Sequence, residues 1–470
     1  MIATNGPYPL DGVRMPTWLI RFDKRGVCTS PATRAMLLDR LHGRPHSDIV
    51  VFSHGWNNDF DDAAGMYAKF LRNFEALCAA HAPGRPFDPL FVGVCWPSIW
   101  LSFGDGPEIA AGTGGAGGQA DAVLAELADR IAASGGAVDL ERVYALLSAP
   151  ALHDSDAAEL ARLIAPAFGV IADEGAASQG RETGADDVLT MMRAMESTRP
   201  IAQPSPSNDI DDFSRGADAV GASPSGARAA GLLSALDPRN ALRLFSLYQM
   251  KDRAGTVGFN GVAALLRDLL AVPGAAGDDA RTRVHMVGHS FGCKVLLSAI
   301  CAQPLPRPVA SLLLLQPAIS HLSFADVVPD SGKPGGYREA LSAERVTPPI
   351  FTTYTRNDAS LHDVFHLAVR RAADLGEAQI AADADSTSAG SPPSRFAALG
   401  GYGPRRADQV LVDPLPPAGS DMALPAGGAP IVAFDGSQGI IKGHGDITGP
   451  DLAWALHRLV FRQRLAASPT

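Results

Sequence analysis

Seven short apolar runs punctuate the chain. Residues 48–53 (DIVVFS), 311–315 (SLLLL) and 349–354 (PIFTTY) are nearly continuous in Val, Ile, Leu, Phe and Thr, the pattern of strands buried on both faces of a parallel sheet. Residues 91–95 (FVGVC), 284–287 and 429–434 read as further strands, and 17–22 (TWLIRF) alternates as an early edge strand does. Between the second and third runs, Ala63, Met66, Tyr67, Phe70, Leu71, Phe74, Leu77 and Cys78 recur at helical spacing. Strand, helix, strand is the rhythm of βαβ units. A helix carrying Val262, Leu265, Leu266 and Leu269 precedes the run at 284, and a closing helix carries Leu452, Leu456, Leu459 and Val460.

The rhythm breaks at 104–240. That stretch predicts helices over 119–133, 139–148, 155–168 and 185–196, no strand, and a polar Pro/Ser connector near 198–227 of disordered character. It reads as a mostly helical cap inserted into one domain formed by 1–103 and 241–470. Residues 378–428, with SPPS and PLPP, read as a surface excursion.

Composition narrows the class. Net charge is −10 over 470 residues with no basic run, which argues against a nucleic-acid partner. The five cysteines form no CxxC pair, and Cys78, Cys95 and Cys301 sit in apolar runs, so reduced core thiols are expected. No apolar run approaches the roughly 18 residues of a membrane span, and the N-terminus lacks a signal-peptide pattern. The expectation is a cytoplasmic protein with no transmembrane segment, signal-independent secretion remaining open.

The chemistry gathers around Gly288-His289-Ser290-Phe291-Gly292. An apolar strand precedes this G-x-S-x-G turn and a helix follows it. Gly288 and Gly292 allow strand and helix to pack without Cβ atoms, and the tight turn pushes the Ser290 hydroxyl out of the sheet's end. The turn resembles the nucleophile elbow of the α/β hydrolases. A serine needs an imidazole base oriented by a third group, and in this fold the acid follows a later strand and the histidine the last one. Asp358 follows 349–354, and His444 follows 429–434 in a Gly-flanked loop. Asp326 and Asp363 are rival acids. Negative charge developing on an acyl carbonyl oxygen requires backbone N–H donors. Phe291, directly after the nucleophile, and Trp56, on the loop after 48–52, are the candidates, with His54, Gly55 and Asn57 supporting that loop.

The segments Ser53-His54-Gly55-Trp56-Asn57-Asn58, Gly288 to Gly292, Asn357-Asp358 and Gly443-His444 together resemble the α/β-hydrolase superfamily, closest to serine esterases and lipases. Residues 248–258 (YQMKDRAGTVG) also resemble uncharacterised bacterial members. The resemblance covers about 15–103 and 241–465. It leaves the 104–240 insertion unmatched, and implies a mostly parallel central sheet with helices on both faces and hydrolysis of a carboxylic ester through an acyl-enzyme. The substrate expected is a small-molecule or lipid ester with an apolar acyl group; no metal and no organic cofactor are implied. Acyl transfer or peptide cleavage on the same triad, or a non-catalytic ligand-binding scaffold, are the alternatives. The oligomeric state is not legible.

Four other features have plainer readings. His362 and His366 stand at i and i+4, but Asp363 replaces the glutamate of a zinc-protease motif. Residues 112–118 (GTGGAGG) lack the lysine of a phosphate loop. Lys251-Asp252-Arg253 reads as a helix-end charge cluster, and Cys293 as a packing residue.

Overall fold

The computed structural model describes residues 5–56, 58–81, 85–98, 126–132, 139–168, 184–196, 236–273, 282–329, 332–365, 390–392, 397–422 and 428–461. Its centre is one eight-stranded sheet with every neighbouring pair parallel. The strands are β1 (Thr17–Arg21), β2 (Asp48–Ser53), β3 (Pro89–Cys95), β4 (Arg283–His289), β5 (Ser311–Leu315), β6 (Ile350–Tyr354), β7 (Gln409–Val412) and β8 (Ile431–Asp435). They lie in the order β1-β3-β2-β4-β5-β6-β8-β7, so β1 is an edge strand.

Alternation explains the continuous apolar runs. Ile49 and Val51 of β2 face one hydrophobic cluster, Val50 and Phe52 the other; Leu312 and Leu314 of β5 divide from Leu313 and Leu315 in the same way. Both faces are covered by helices, so both parities must be apolar. Each such side chain contributes about 1.5–3 kcal/mol when fully buried.

Helices α1 (Pro31–Gly43) and α2 (Phe60–Ala80) flank β2 in sequence, and each joins the cluster on a different face. Between β3 and β4 lie α3 (Leu140–Leu147), α4 (Asp154–Ile164), α5 (Ala185–Glu196) and α6 (Arg239–Val257). A π-helical turn, Gly258–Val262, leads from α6 into α7 (Ala263–Ala271). Helix α8 (Phe291–Cys301) follows β4, and α9 (Pro450–Val460) packs on α2. Residues of α3, α4 and α5, among them Val143, Leu160 and Met191, belong to the same apolar cluster as one face of the sheet. No helix among the described residues is long and apolar enough to cross a membrane.

Some expectations need correction. Residues 378–428 are not only an excursion: they contain a helical turn, Leu399–Tyr402, and strand β7. Lys251-Asp252-Arg253 lies inside α6, not at a helix end, because the helix runs on to Val257 and into the π turn. Arg253 reaches from there to the Pro97 carbonyl (3.0 Å) and to both Glu126 carboxylate oxygens (3.1 Å each), and Asp252 pairs with Arg130. The connector near 198–227 and the glycine stretch 112–118 lie outside the described residues.

Candidate active site

Ser290 sits between the end of β4 and the start of α8 with φ 54° and ψ −125°. A non-glycine residue there costs about 1–3 kcal/mol unless its surroundings impose the conformation. Here they do. The Ser290 amide donates to the Leu315 carbonyl (3.1 Å), and its own carbonyl accepts from the Cys293 (3.1 Å) and Ala318 (3.3 Å) amides. The two glycines are required by contact. A Cβ on Gly292 would lie 2.1 Å from the Ser53 carbonyl oxygen and 2.5 Å from that of His54, and one on Gly288 would lie 2.8 Å from the Cys293 Cα. Cys293 itself is fully buried, as a packing residue should be.

His444 lies beside this serine. Its Nε2 is 2.8 Å from Ser290 Oγ and its Nδ1 is 2.6 Å from Asp358 Oδ2. With Nδ1–H donating to the carboxylate, Nε2 is left as the acceptor for the serine hydroxyl. Asp358 is wholly buried, and its Oδ1 accepts from the Leu361 amide at 3.1 Å. Of the rivals, Asp326 is half exposed and pairs with Arg338, while the Asp363 side chain lies outside the described residues. Asn357 ties the two loops together, its Nδ2 donating to the carbonyls of Ser437 (3.0 Å) and Ile441 (2.8 Å) on the way to His444.

The loop after β2 presses against the elbow. A Cβ on Gly55 would come within 2.7 Å of Ser290 Cβ and 2.8 Å of His289 Nδ1. His54 holds the loop from below. Its Nε2 accepts from the Trp96 amide (3.1 Å), so Nδ1 carries the proton and donates to the Gly55 carbonyl (2.9 Å). Burial pushes the His54 imidazole down to about 4, against a smaller opposing effect of the bond to Gly55. The His54 amide donates to Tyr67 Oη (3.0 Å), whose hydroxyl donates to the Val94 carbonyl (2.8 Å). Gly93 makes room, since a Cβ there would meet the Tyr67 ring at 2.8 Å. Trp56 packs against the core, and neither its amide nor that of Phe291 has an acceptor among the described residues. Helix α2 starts just beyond, closed by a capping box between Asp59 and Asp62 that fixes the loop's exit. Asn57 lies outside the described residues.

Sequence reasoning misses several supports, among them Gln316, Thr353, Tyr67 and Trp96. Gln316 had a readable sign, being the polar residue directly after the buried strand SLLLL, at the carboxyl end where α/β sheets place their sites. Among the described residues no cluster of three His, Cys, Asp or Glu side chains could hold a metal. His362 stacks on the Tyr402 ring at 4.3 Å, and His366 lies outside the described residues. A surface cavity of about 390 Å³ is lined by Asp326, Val327, Arg406, Asp408 and Gln409, none of them part of the Ser290 cluster.

Residues 29–107 match a family model described as alpha/beta hydrolase of unknown function (DUF900). The match takes in α1, β2, the His54–Trp56 loop, α2 and β3, and ends before the elbow. No curated protein and no solved structure gives a match. The eight-stranded parallel sheet, wrapped by helices on both faces, and this match together make the chain a protein of the α/β-hydrolase fold.

Proposed function

We propose that the protein is a serine hydrolase of carboxylic esters, working through an acyl-enzyme. The observation that carries this reading is the continuous chain Asp358–His444–Ser290, at 2.6 and 2.8 Å, ending on a serine held at positive φ. Ser290 Oγ attacks the ester carbonyl as His444 Nε2 takes its proton. Asp358, buried and bonded through both oxygens, fixes the His444 tautomer and stabilises the imidazolium. The amides of Phe291 and Trp56 receive the oxyanion. Collapse of the tetrahedral intermediate returns the proton to the leaving alcohol. Water then repeats the sequence on the acyl-enzyme, releasing the acid and regenerating Ser290.

Residues 104–240 serve as a cap in this reading. An insertion of that length can cover an apolar site. Apolar acyl esters, lipid or small-molecule, are therefore the favoured substrates.

Covalent labelling tests the reading. A fluorophosphonate should add once to the wild-type protein by intact mass and not at all to Ser290→Ala. Labelling of Ser290→Ala at the wild-type rate, or no labelling of folded wild type, would sink it.

A further inference from the structure

Ser290, Asp358 and His444 issue from β4, β6 and β8, and β8 stands three strands from β4 in the sheet order. At about 4.8 Å per strand the His444 loop must reach back roughly 14 Å to meet the serine. Asn357 holds the loop's backbone only as far as Ile441, and at His444 the side-chain bond to Asp358 does not fix the backbone. The carbonyls of Gly443 and His444 face two buried donors instead. Gln316 Nε2 donates to Gly443 O at 2.9 Å and lies 3.4 Å from His444 O, while His289 Nε2 donates to His444 O at 2.9 Å.

Both donors are themselves fixed. Gln316 is fully buried with φ 41°, a left-handed conformation that a glutamine rarely holds. Its backbone N–H donates to Thr353 Oγ1 at 3.0 Å, and its near neighbours Leu315 and Ala318 grip the Ser290 backbone from both sides. Gln316 Oε1 has no partner among the described residues, so the side chain is oriented for its donors and not for its acceptor. His289 is likewise buried, and burial holds its imidazole well below its ordinary range, which leaves a single proton for a single acceptor. Strain of this kind gathers at functional sites.

We infer that Gln316 is a positioning residue which, paired with His289, clamps the Gly443–His444 backbone and so sets the distance from His444 Nε2 to Ser290 Oγ. The inference rests on the reading of Ser290 as the nucleophile. Gln316 directly follows β5, the strand between the nucleophile's and the acid's, so one residue couples the elbow backbone to the histidine loop.

Two substitutions test this. Gln316→Met keeps the shape and removes the donor; Gln316→Asn keeps an amide and tolerates the left-handed backbone, but is one methylene too short to reach. In either folded variant, ester turnover per fluorophosphonate-titrated site should fall about 10- to 100-fold in kcat, with KM within about twofold. The low-field proton resonance of His444 Nδ1–H should shift or broaden at the same time. A merely structural role would lower the titratable fraction and leave kcat per site and the resonance unchanged. That outcome, in either folded variant, overturns the clamp. If wild type neither labels nor turns over an ester, the function fails instead; the resonance comparison still judges the clamp, its shift supporting the inference and its constancy refuting it.

Discussion

The elbow's tightest contact gives the sharpest prediction. In Gly292→Ala, the added Cβ would lie 2.1 Å from the Ser53 carbonyl oxygen and 2.5 Å from the His54 carbonyl oxygen, against an ordinary contact of 3.4 Å or more. Both neighbours are backbone, at the end of β2 and the start of the loop presenting Trp56, and neither can rotate away. The start of α8 must therefore retreat from that loop by about 1 Å. This is the separation between the Phe291 and Trp56 amides that an oxyanion would bridge. Forcing a methyl into such packing costs about 1–3 kcal/mol of stability, and misplacing catalytic donors by 1 Å costs about 100-fold in rate. Steady-state kinetics on a series of nitrophenyl esters would show the loss in kcat, with thermal unfolding measured alongside. Gly65→Ala is the control: it lies inside α2 with nothing within 4 Å of the added Cβ. It should gain about 0.5–1 kcal/mol and leave turnover unchanged. A Gly292→Ala protein with wild-type kcat and wild-type stability would refute the reasoning.

Asp358→Asn should cost ester turnover about 10⁴-fold by presenting the wrong His444 tautomer, whereas Asp326→Asn should cost little; kinetics with the roles reversed would move the acid to the loop after β5. At the far end of the sheet, buried Asp48 accepts from Arg85 (2.7 Å to each oxygen), Arg283 (3.0 Å) and His285 (2.9 Å). Burial raises its carboxyl, but these bonds outweigh it and hold the carboxyl far below the usual range. Its stabilisation is therefore fully present above about pH 4 and lost progressively as the pH falls below that. Asp48→Asn should destabilise the neutral protein by about 3–5 kcal/mol in urea titrations, and a midpoint equal to wild type would count against the network. His54 is depressed as well, here by burial: its folded value near 4 lies below the ordinary 6.5, so the unfolded chain binds the proton first. Stability should rise with pH between 4 and 6.5 by up to about 3 kcal/mol from this group, and urea midpoints falling over that window would contradict its neutral burial.

The strands are legible because a sheet covered on both faces demands apolar residues at both parities, as in 48–53 and 311–315. Elements whose burial is narrow or polar are not. Helix α1 buries only Thr33, Leu37 and Leu41, a stripe one residue wide. Strand β7 is a half-buried edge of four residues that, among the described residues, pairs only with β8. In α6 the buried set includes Asn240, Gln249, Lys251 and Arg253, which blurs the amphipathic pattern by which a helix is read.

The candidate site divides along the same physical line. Ser290, Gly288 and Gly292 are legible because the backbone itself imposes them: a positive-φ turn with carbonyls 2–3 Å from where a Cβ would stand tolerates few sequences. His444 and Asp358 are legible through chain order, since a fold that closes its site with loops after successive strands leaves few positions for each. The supports are different in kind. Tyr67 and Trp96 act from a helix and a strand end through hydroxyl and N–H groups on otherwise ordinary core aromatics, so their periodicity announces only burial. Gln316 works by a side-chain amide at a backbone angle that no one-dimensional pattern encodes. The elbow is thus fixed by what the chain can sterically become, whereas the groups around it are fixed by which neighbours the sheet order brings within hydrogen-bond reach. Strand order places β5 between β4 and β6. Only that order turns a glutamine after one strand into a tether for a histidine that follows another.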